Sequence, residues 1–306
     1  LLEAHYCGMK HWVEYLNTRT DDKGIVVREE PNGWCLGEWS TPHNVIEIPA
    51  SLVNTAYFYH VTCIMANIAN ILNKKDDENE LRILARTIKR NFNIAFYNEV
   101  THHYWEGKQG ADVFALAFGL VPESDRKKVF AALLEHLEKI NYHFDTGILA
   151  TPLLLKVLTE NGRADLAYRV MNQRDFPSYG YLADKKNNTL WETWNGDGND
   201  EGCGHCHPMF GSVVAWFYNS LAGIKPDLSN PGMKHFYVEP VIITSLKYCK
   251  ATYDSLYGKI RSSWKIDENG NLIRTENSAS KKLLISVSHK AIVVMGEYGS
   301  TEIADR

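Results

Sequence analysis

The sequence has little that would tie it to a membrane, a nucleic acid or a disulfide scaffold. No apolar run approaches the roughly 18 residues a membrane-crossing helix needs, so none is expected. No block of Lys or Arg occurs and the net charge is -4, which leaves no basic footprint for a nucleic-acid backbone. The six cysteines (7, 35, 63, 203, 206 and 249) are too few and too irregular for a disulfide framework in 306 residues. Two of them spell Cys203-Gly-His-Cys206, but a dithiol site needs a preceding strand and a helix opening at its first Cys. Here a Gly/Asp-rich loop comes first and Pro208 starts the helix later. Cys203, His205, Cys206 and His207 stand too close in sequence to wrap one tetrahedral zinc, so neither metal nor cofactor is expected. The chain opens on Leu1-Leu-Glu-Ala-His, neither a leader nor an initiator Met, as a piece of something longer would. Compartment (cytoplasmic, periplasmic or secreted) and homo-oligomerisation are left open.

What is present is an ordinary globular composition, 44% hydrophobic and 23% charged, with length for one large domain and a smaller one. Apolar residues recur at helical spacing in Leu2 to Leu16 (Tyr6, Met9, Val13, Leu16) and in Ala50 to Leu72 (Val53, Tyr57, Val61, Ile64, Ile68, Ile71). They do so again in Glu80 to Phe96 (Leu81, Leu84, Ile88, Phe92, Phe96) and in Asp125 to Ile140 (Val129, Leu133, Leu137, Ile140). Such stripes are read as core. Shorter helices are expected over Gly110–Gly119, Thr151 to Asn161, Ala164–Met171 and Met209–Leu221, with Ser124 capping the helix at 125.

Beyond Pro231 the grammar becomes that of strands. Phe236-Tyr-Val238, Val241-Ile-Ile243 and Leu283 to Val287 are β-rich, and Ile260, Ser262, Trp264 and Ile266 alternate with Lys259, Arg261, Ser263 and Lys265. Asn269-Gly270 is a hairpin turn. These features predict an all-α domain over 1–234 and a small antiparallel β domain over 235–306. Helices in hairpin succession fit an α/α toroid, although periodicity alone does not separate that from an irregular bundle.

Chemistry concentrates in Thr189-Leu-Trp-Glu-Thr-Trp194 and the Gly/Asn-rich run after it. An extended reading puts Glu192 and Trp194 on one side. A carboxylate beside an indole face suits a sugar site, the acid acting on a proton or water while Trp covers the ring. The bland alternative makes Glu192 a surface carboxylate and both tryptophans core. A second tryptophan-bearing stretch is the long loop from Thr18 to Asn44, with Asn32-Gly33-Trp34 and Gly37-Glu38-Trp39, too long for a mere connector.

Several stretches in order resemble the C-terminal part of bacterial α-L-rhamnosidases, inverting glycoside hydrolases built on an (α/α)6 barrel. They include Asn54-Thr-Ala-Tyr-Phe-Tyr59, Ala115-Leu-Ala-Phe-Gly-Leu-Val-Pro-Glu123, Thr146-Gly-Ile-Leu-Ala-Thr-Pro152, Pro177-Ser-Tyr-Gly-Tyr181, Leu190-Trp-Glu-Thr-Trp194 and His207-Pro-Met-Phe-Gly-Ser-Val213. Lys250-Ala-Thr-Tyr-Asp-Ser-Leu-Tyr-Gly258 is similar to the entry into that family's C-terminal β-sandwich. The resemblance implies a rhamnose-containing oligosaccharide or glycoside as substrate. It makes Glu192 the general base, sets His207 at the sugar subsite and Trp39 against the rhamnose, and gives Trp191 and Trp194 an apolar wall. Glu38 stands where the family has Asp. The resemblance also puts the general acid and the first helices of the barrel upstream of Leu1; failing that, Glu38 or Asp112 would have to be the acid. The rivals are another toroid enzyme on α-linked sugars, such as a fucosidase or glucoside phosphorylase, and a non-catalytic glycan-binding module.

Overall fold

A computed structural model describes residues 1–27, 35–43, 47–185, 189–195, 204–278, 284–286 and 301–304. Trp34, Cys203 and nearly all of the Gly/Asn-rich run therefore lie outside the described residues. The chain divides into two compact units, Leu1–Asn161 with Arg169–Gly211, and Gly162–Tyr168 with Ser212–Arg306.

The first unit is helical, from α1 (Leu2–Thr18), α2 (Ala50–Ile71) and α3 (Lys75–Phe96) through α4 (Gln109–Phe118), α5 (Arg126–Lys139) and α6 (Thr151–Glu160). Then come α7 (Ala164–Met171), which runs across the division, and the short α8 (Tyr179–Asp184). Strands β1 (Tyr97–Asn98) and β2 (His103–Tyr104) form a small hairpin between α3 and α4. Successive helices pack as hairpins: α1 lies on α2, α2 on α3 and α4, and α4 on α5 and α6. The stripes expected for α1, α3 and α5 face inward. Tyr6, Val13, Leu81 and Ile88 join Phe58, Met65, Ala66 and Ala69 in one buried cluster, with Met9, Leu16 and Leu84 packed against it.

The stripe expected on α2 is displaced. Its buried face is Leu52, Thr55, Ala56, Thr62, Met65, Ala66 and Ala69, together with Val53 and Phe58, whereas Ile64 is 44% exposed. Small side chains let neighbouring helices approach α2 closely, and the bulkier Val61, Ile64 and Ile68 are left to line an apolar cleft of about 650 Å³ facing α1. At α5, Asp125 rather than Ser124 holds the N-cap position. The helix expected over Met209–Leu221 is mixed, with a 3-10 segment Pro208–Val213, one α turn Val214–Trp216 and a π turn Phe217–Leu221.

The second unit carries β3 (Ile224–Pro226), β4 (His235–Val238), β5 (Tyr248–Ser255), β6 (Gly258–Ile266), β7 (Leu272–Ser278), β8 (Leu284–Ser286) and β9 (Thr301–Ala304). They form two sheets, ordered β3-β4-β8 and β5-β6-β7-β9, antiparallel except for β4 with β8. Ile224, Phe236 and Val238 from one sheet and Ile260 from the other share a core. The alternation read in β6 holds, since Ile260, Ser262 and Trp264 are buried. Trp264 Nε1 donates to Leu221 O at 2.7 Å and Ser262 Oγ to Ala222 O at 2.6 Å. The hairpin at Gly270 (φ 83°) is as expected. Val241-Ile-Ile243 is not a strand: Pro240 lacks an amide donor, and Val241 N–H instead reaches Ser220 O at 2.9 Å. The division expected near residue 234 falls between β3 and β4, which pair antiparallel.

Candidate active site

The segment around Glu192 is held by a narrow neck rather than a sheet. His207 N–H donates to Leu190 O at 2.8 Å and Glu192 N–H to Gly204 O at 2.9 Å, while Thr189 Oγ1 donates to the His205 carbonyl. Residues 189–192 thus run against 204–207, and the chain turns at 193–195. Inside the neck Gly204 N–H donates to Glu192 Oε2 at 2.7 Å. A Cβ at Gly204 would lie 3.0 Å from that oxygen, so glycine is what lets the backbone approach the carboxylate. Glu192 is half-buried, with one carboxyl oxygen fixed by the Gly204 amide.

Trp191 is half-buried and stacks on His205, with centroids 4.1 Å apart and planes 12° apart. One face of its indole is therefore covered by an exposed imidazole, and only the remainder can act as a wall. His207 is half-buried, and its Nδ1 is buried without a hydrogen-bond partner among the described residues. An unpaired buried nitrogen is costly unless a ligand or water meets it. His207 shares the neck with Glu192, both side chains lying near Gly204.

Trp194 does not. It is fully buried, boxed by Phe144 (stacked, 5.0 Å), Tyr179 (edge-on, 5.3 Å) and Phe210 (4.4 Å), and Nε1 donates to Thr146 O at 2.9 Å. The turn after Glu192 breaks the alternation that would have set both side chains on one face. Trp194 is the bolt that fastens the Glu192 segment to the core, so half of the bland reading was right.

The Trp39 loop is fastened to the same stretch of backbone. Ile148 N–H donates to Trp39 O at 2.9 Å, and Gly147 and Ala150 N–H donate to Glu38 Oε1 at 2.6 and 3.1 Å. Gly147 has no room for a side chain, because a Cβ there would overlap the Trp39 carbonyl oxygen. Gly37 and Ser40 flank the pair at φ 61° and 56°, a double kink that leaves Trp39 half-buried while Glu38 is only 1% exposed. Residues 146–150, quoted above only as part of a resemblance, are thus the hub that holds both the Trp39 loop and the Glu192 segment. Nothing local in the sequence showed this beyond a glycine ahead of a helix start.

Neither carboxyl considered as an in-chain acid reaches solvent. Burial pushes Glu38 up to about 8 against the pull of the Ala150 and Gly147 amides, with the nearby Asp145 raising it further. Asp112 is fully buried, also pushed upward by burial, and is held by His103 Nδ1 and Tyr104 N–H, each at 2.7 Å. It ties the β1–β2 hairpin to α4. Among the described residues no group of three His, Cys, Asp or Glu side chains is arranged to hold a metal, and no helix is long and apolar enough to cross a membrane.

A helical-hairpin unit with a carboxylate and indoles on its connecting loops, followed by a small two-sheet unit, defines a six-hairpin glycosidase domain with a C-terminal β domain. More particularly, the chain belongs to the bacterial alpha-L-rhamnosidase family: residues 1–221 match its 6 hairpin glycosidase domain and residues 223–276 its C-terminal domain. It is similar to an alpha-L-rhamnosidase of Streptomyces avermitilis, 32% identical over 270 residues, covering 85% of this chain and 24% of that protein. A solved alpha-L-rhamnosidase from Dictyoglumus thermophilum superposes with a TM-score of 0.85 at 33% identity, over 94% of this chain and 32% of that one. The Streptomyces avermitilis enzyme solved with L-rhamnose gives 0.83 at 29% identity, over 99% of this chain and 30% of that one. The chain therefore spans about a third or less of the length of these relatives.

Proposed function

We propose that this chain carries the general-base side of an enzyme that removes terminal α-L-rhamnose from glycosides with inversion of configuration. The observation that supports the reading is the neck at Glu192, which fixes one of its carboxyl oxygens on the Gly204 amide and whose two backbone runs also carry Trp191 and His207. The names of the relatives supply the sugar. In the reaction Glu192 takes a proton from a water that attacks the anomeric carbon. A separate acid, about 6.5–9.5 Å away, protonates the leaving oxygen. Glu38 and Asp112 are sealed off from that role. Trp39 and the open part of Trp191 give apolar cover to the sugar, and the half-buried His207 offers a hydrogen bond to a ring hydroxyl. The catalytic chemistry belongs to the helical unit, with an accessory β domain after it.

The test is a panel of aryl glycosides (α-L-rhamnoside, α-L-fucoside and α-D-glucoside) given to the full-length protein, with proton NMR of the first sugar released. Turnover of the rhamnoside with β-L-rhamnose appearing first is expected. Turnover of another glycoside alone would overturn the substrate reading, and α-L-rhamnose appearing first would overturn inversion.

A further inference from the structure

We propose that Glu38 is a positioning residue that holds Trp39 at the sugar site by clamping the Trp39 loop onto the N-terminal approach of α6. The inference rests on the rhamnoside-cleaving reading for its readout, but not for its geometry. A carboxyl that is only 1% exposed needs a reason to be there, because an uncompensated buried acid is costly. Its Oε1 supplies one. It accepts from Gly147 and Ala150, amides just ahead of and at the N-cap of α6, which have no carbonyl of a preceding turn to bond. The side chain thus does what an N-cap residue does, but from a loop distant in sequence. The neighbouring residue gains from it: Trp39 O takes the Ile148 amide in the middle of the same run, so backbone and side chain of adjacent residues grip one turn at three points.

The surroundings leave the grip no slack. Gly147 fits only as glycine beneath the Trp39 carbonyl. A Cβ at Gly110 would lie 2.9 Å from Ile48 Cδ1 and 3.3 Å from Ala150 Cβ, so α4 presses on the same place from below. Gly37 packs with no spare room on Ala50 at the start of α2. With Oε1 saturated, Oε2 is buried and has no partner among the described residues. That arrangement suits a neutral carboxyl whose proton sits on Oε2, and it distinguishes clamping from proton transfer to a ligand, which would need an accessible oxygen.

The neutral amide of glutamine keeps an acceptor at Oε1, so Glu38→Gln should preserve the clamp, whereas Glu38→Ala removes it. Glu38→Asp, one methylene short of the α6 amides, serves if the alanine variant does not fold. In the full-length protein we expect Glu38→Ala or Glu38→Asp to raise KM for an aryl α-L-rhamnoside about tenfold, the scale of a lost aromatic contact, with kcat within about threefold. Amide exchange of residues 147–150 should quicken in parallel. Glu38→Gln should restore both. A fall in kcat at unchanged KM, or a glutamine variant as impaired as alanine, would overturn the proposal. If the wild type hydrolysed none of the glycosides, the functional reading would fail separately. The clamp would then stand or fall on exchange alone: faster in the alanine or aspartate variant and restored in glutamine, or unchanged and refuted.

Discussion

Replacing Glu38 by glutamine should alter the pH dependence of stability more than stability itself. Burial holds the folded carboxyl at about 8 against an ordinary 4.5. Between those values the folded chain keeps a proton that the unfolded chain has lost, so wild-type stability falls as pH rises from about 4.5 and levels off above about 8. At ~1.4 kcal/mol per pH unit, that interval bounds the loss at about 5 kcal/mol. Glutamine has no proton to lose, so the variant should gain on the wild type with rising pH. Taking about 2–4 °C per kcal/mol for a domain of this size, the difference in thermal midpoint should widen by several degrees between pH 5 and 8. Calorimetry of both proteins at steps from pH 5 to 9 measures it. A difference that stays constant would refute a buried neutral carboxyl. One that narrows as pH rises would mean that Glu38 is ionised and paired in the fold.

Trp194→Ala should cost about 3–5 kcal/mol, the range for emptying a buried aromatic site, and denaturant titration of the variant checks it; a loss under about 1 kcal/mol would return Trp194 to the surface. Gly147→Ala should both destabilise by about 1–3 kcal/mol, as overpacking does, and raise KM, because its Cβ displaces the Trp39 carbonyl; thermal melts with kinetics test the pair of effects. Trp39→Ala should weaken L-rhamnose binding and raise KM together by about tenfold while kcat holds, since an aromatic wall supplies area rather than proton transfer. Unchanged affinity by calorimetry would move Trp39 out of the site.

The helices were legible wherever one face alone is buried, as in α1, α3 and α5. On α2 the largest apolar residues misled, because close packing there is built from Thr55, Ala56, Thr62, Ala66 and Ala69, whose importance lies in being small. Glu192 and His207 stand out in the sequence because the loop between them is marked by glycine and asparagine. Trp194 was misplaced because an indole with a polar N–H serves a sugar wall and a core equally well, and only its contacts with Phe144, Tyr179 and Thr146 decide between them. Glu38 was beyond sequence reading for a simpler reason. The amides that account for its burial lie 109 and 112 residues further along the chain.

The central claim is that Glu192 is the base, and Glu192→Gln in the full-length protein tests it most directly. The neck hydrogen bond from Gly204 can persist on the amide oxygen, so the fold and the sugar contacts should survive while the proton acceptor is lost. The account predicts kcat on an aryl α-L-rhamnoside lower by about 10²–10⁴, the usual cost of removing a positioned base, with L-rhamnose affinity within a few fold. A folded variant that turns over at close to the wild-type rate would contradict it.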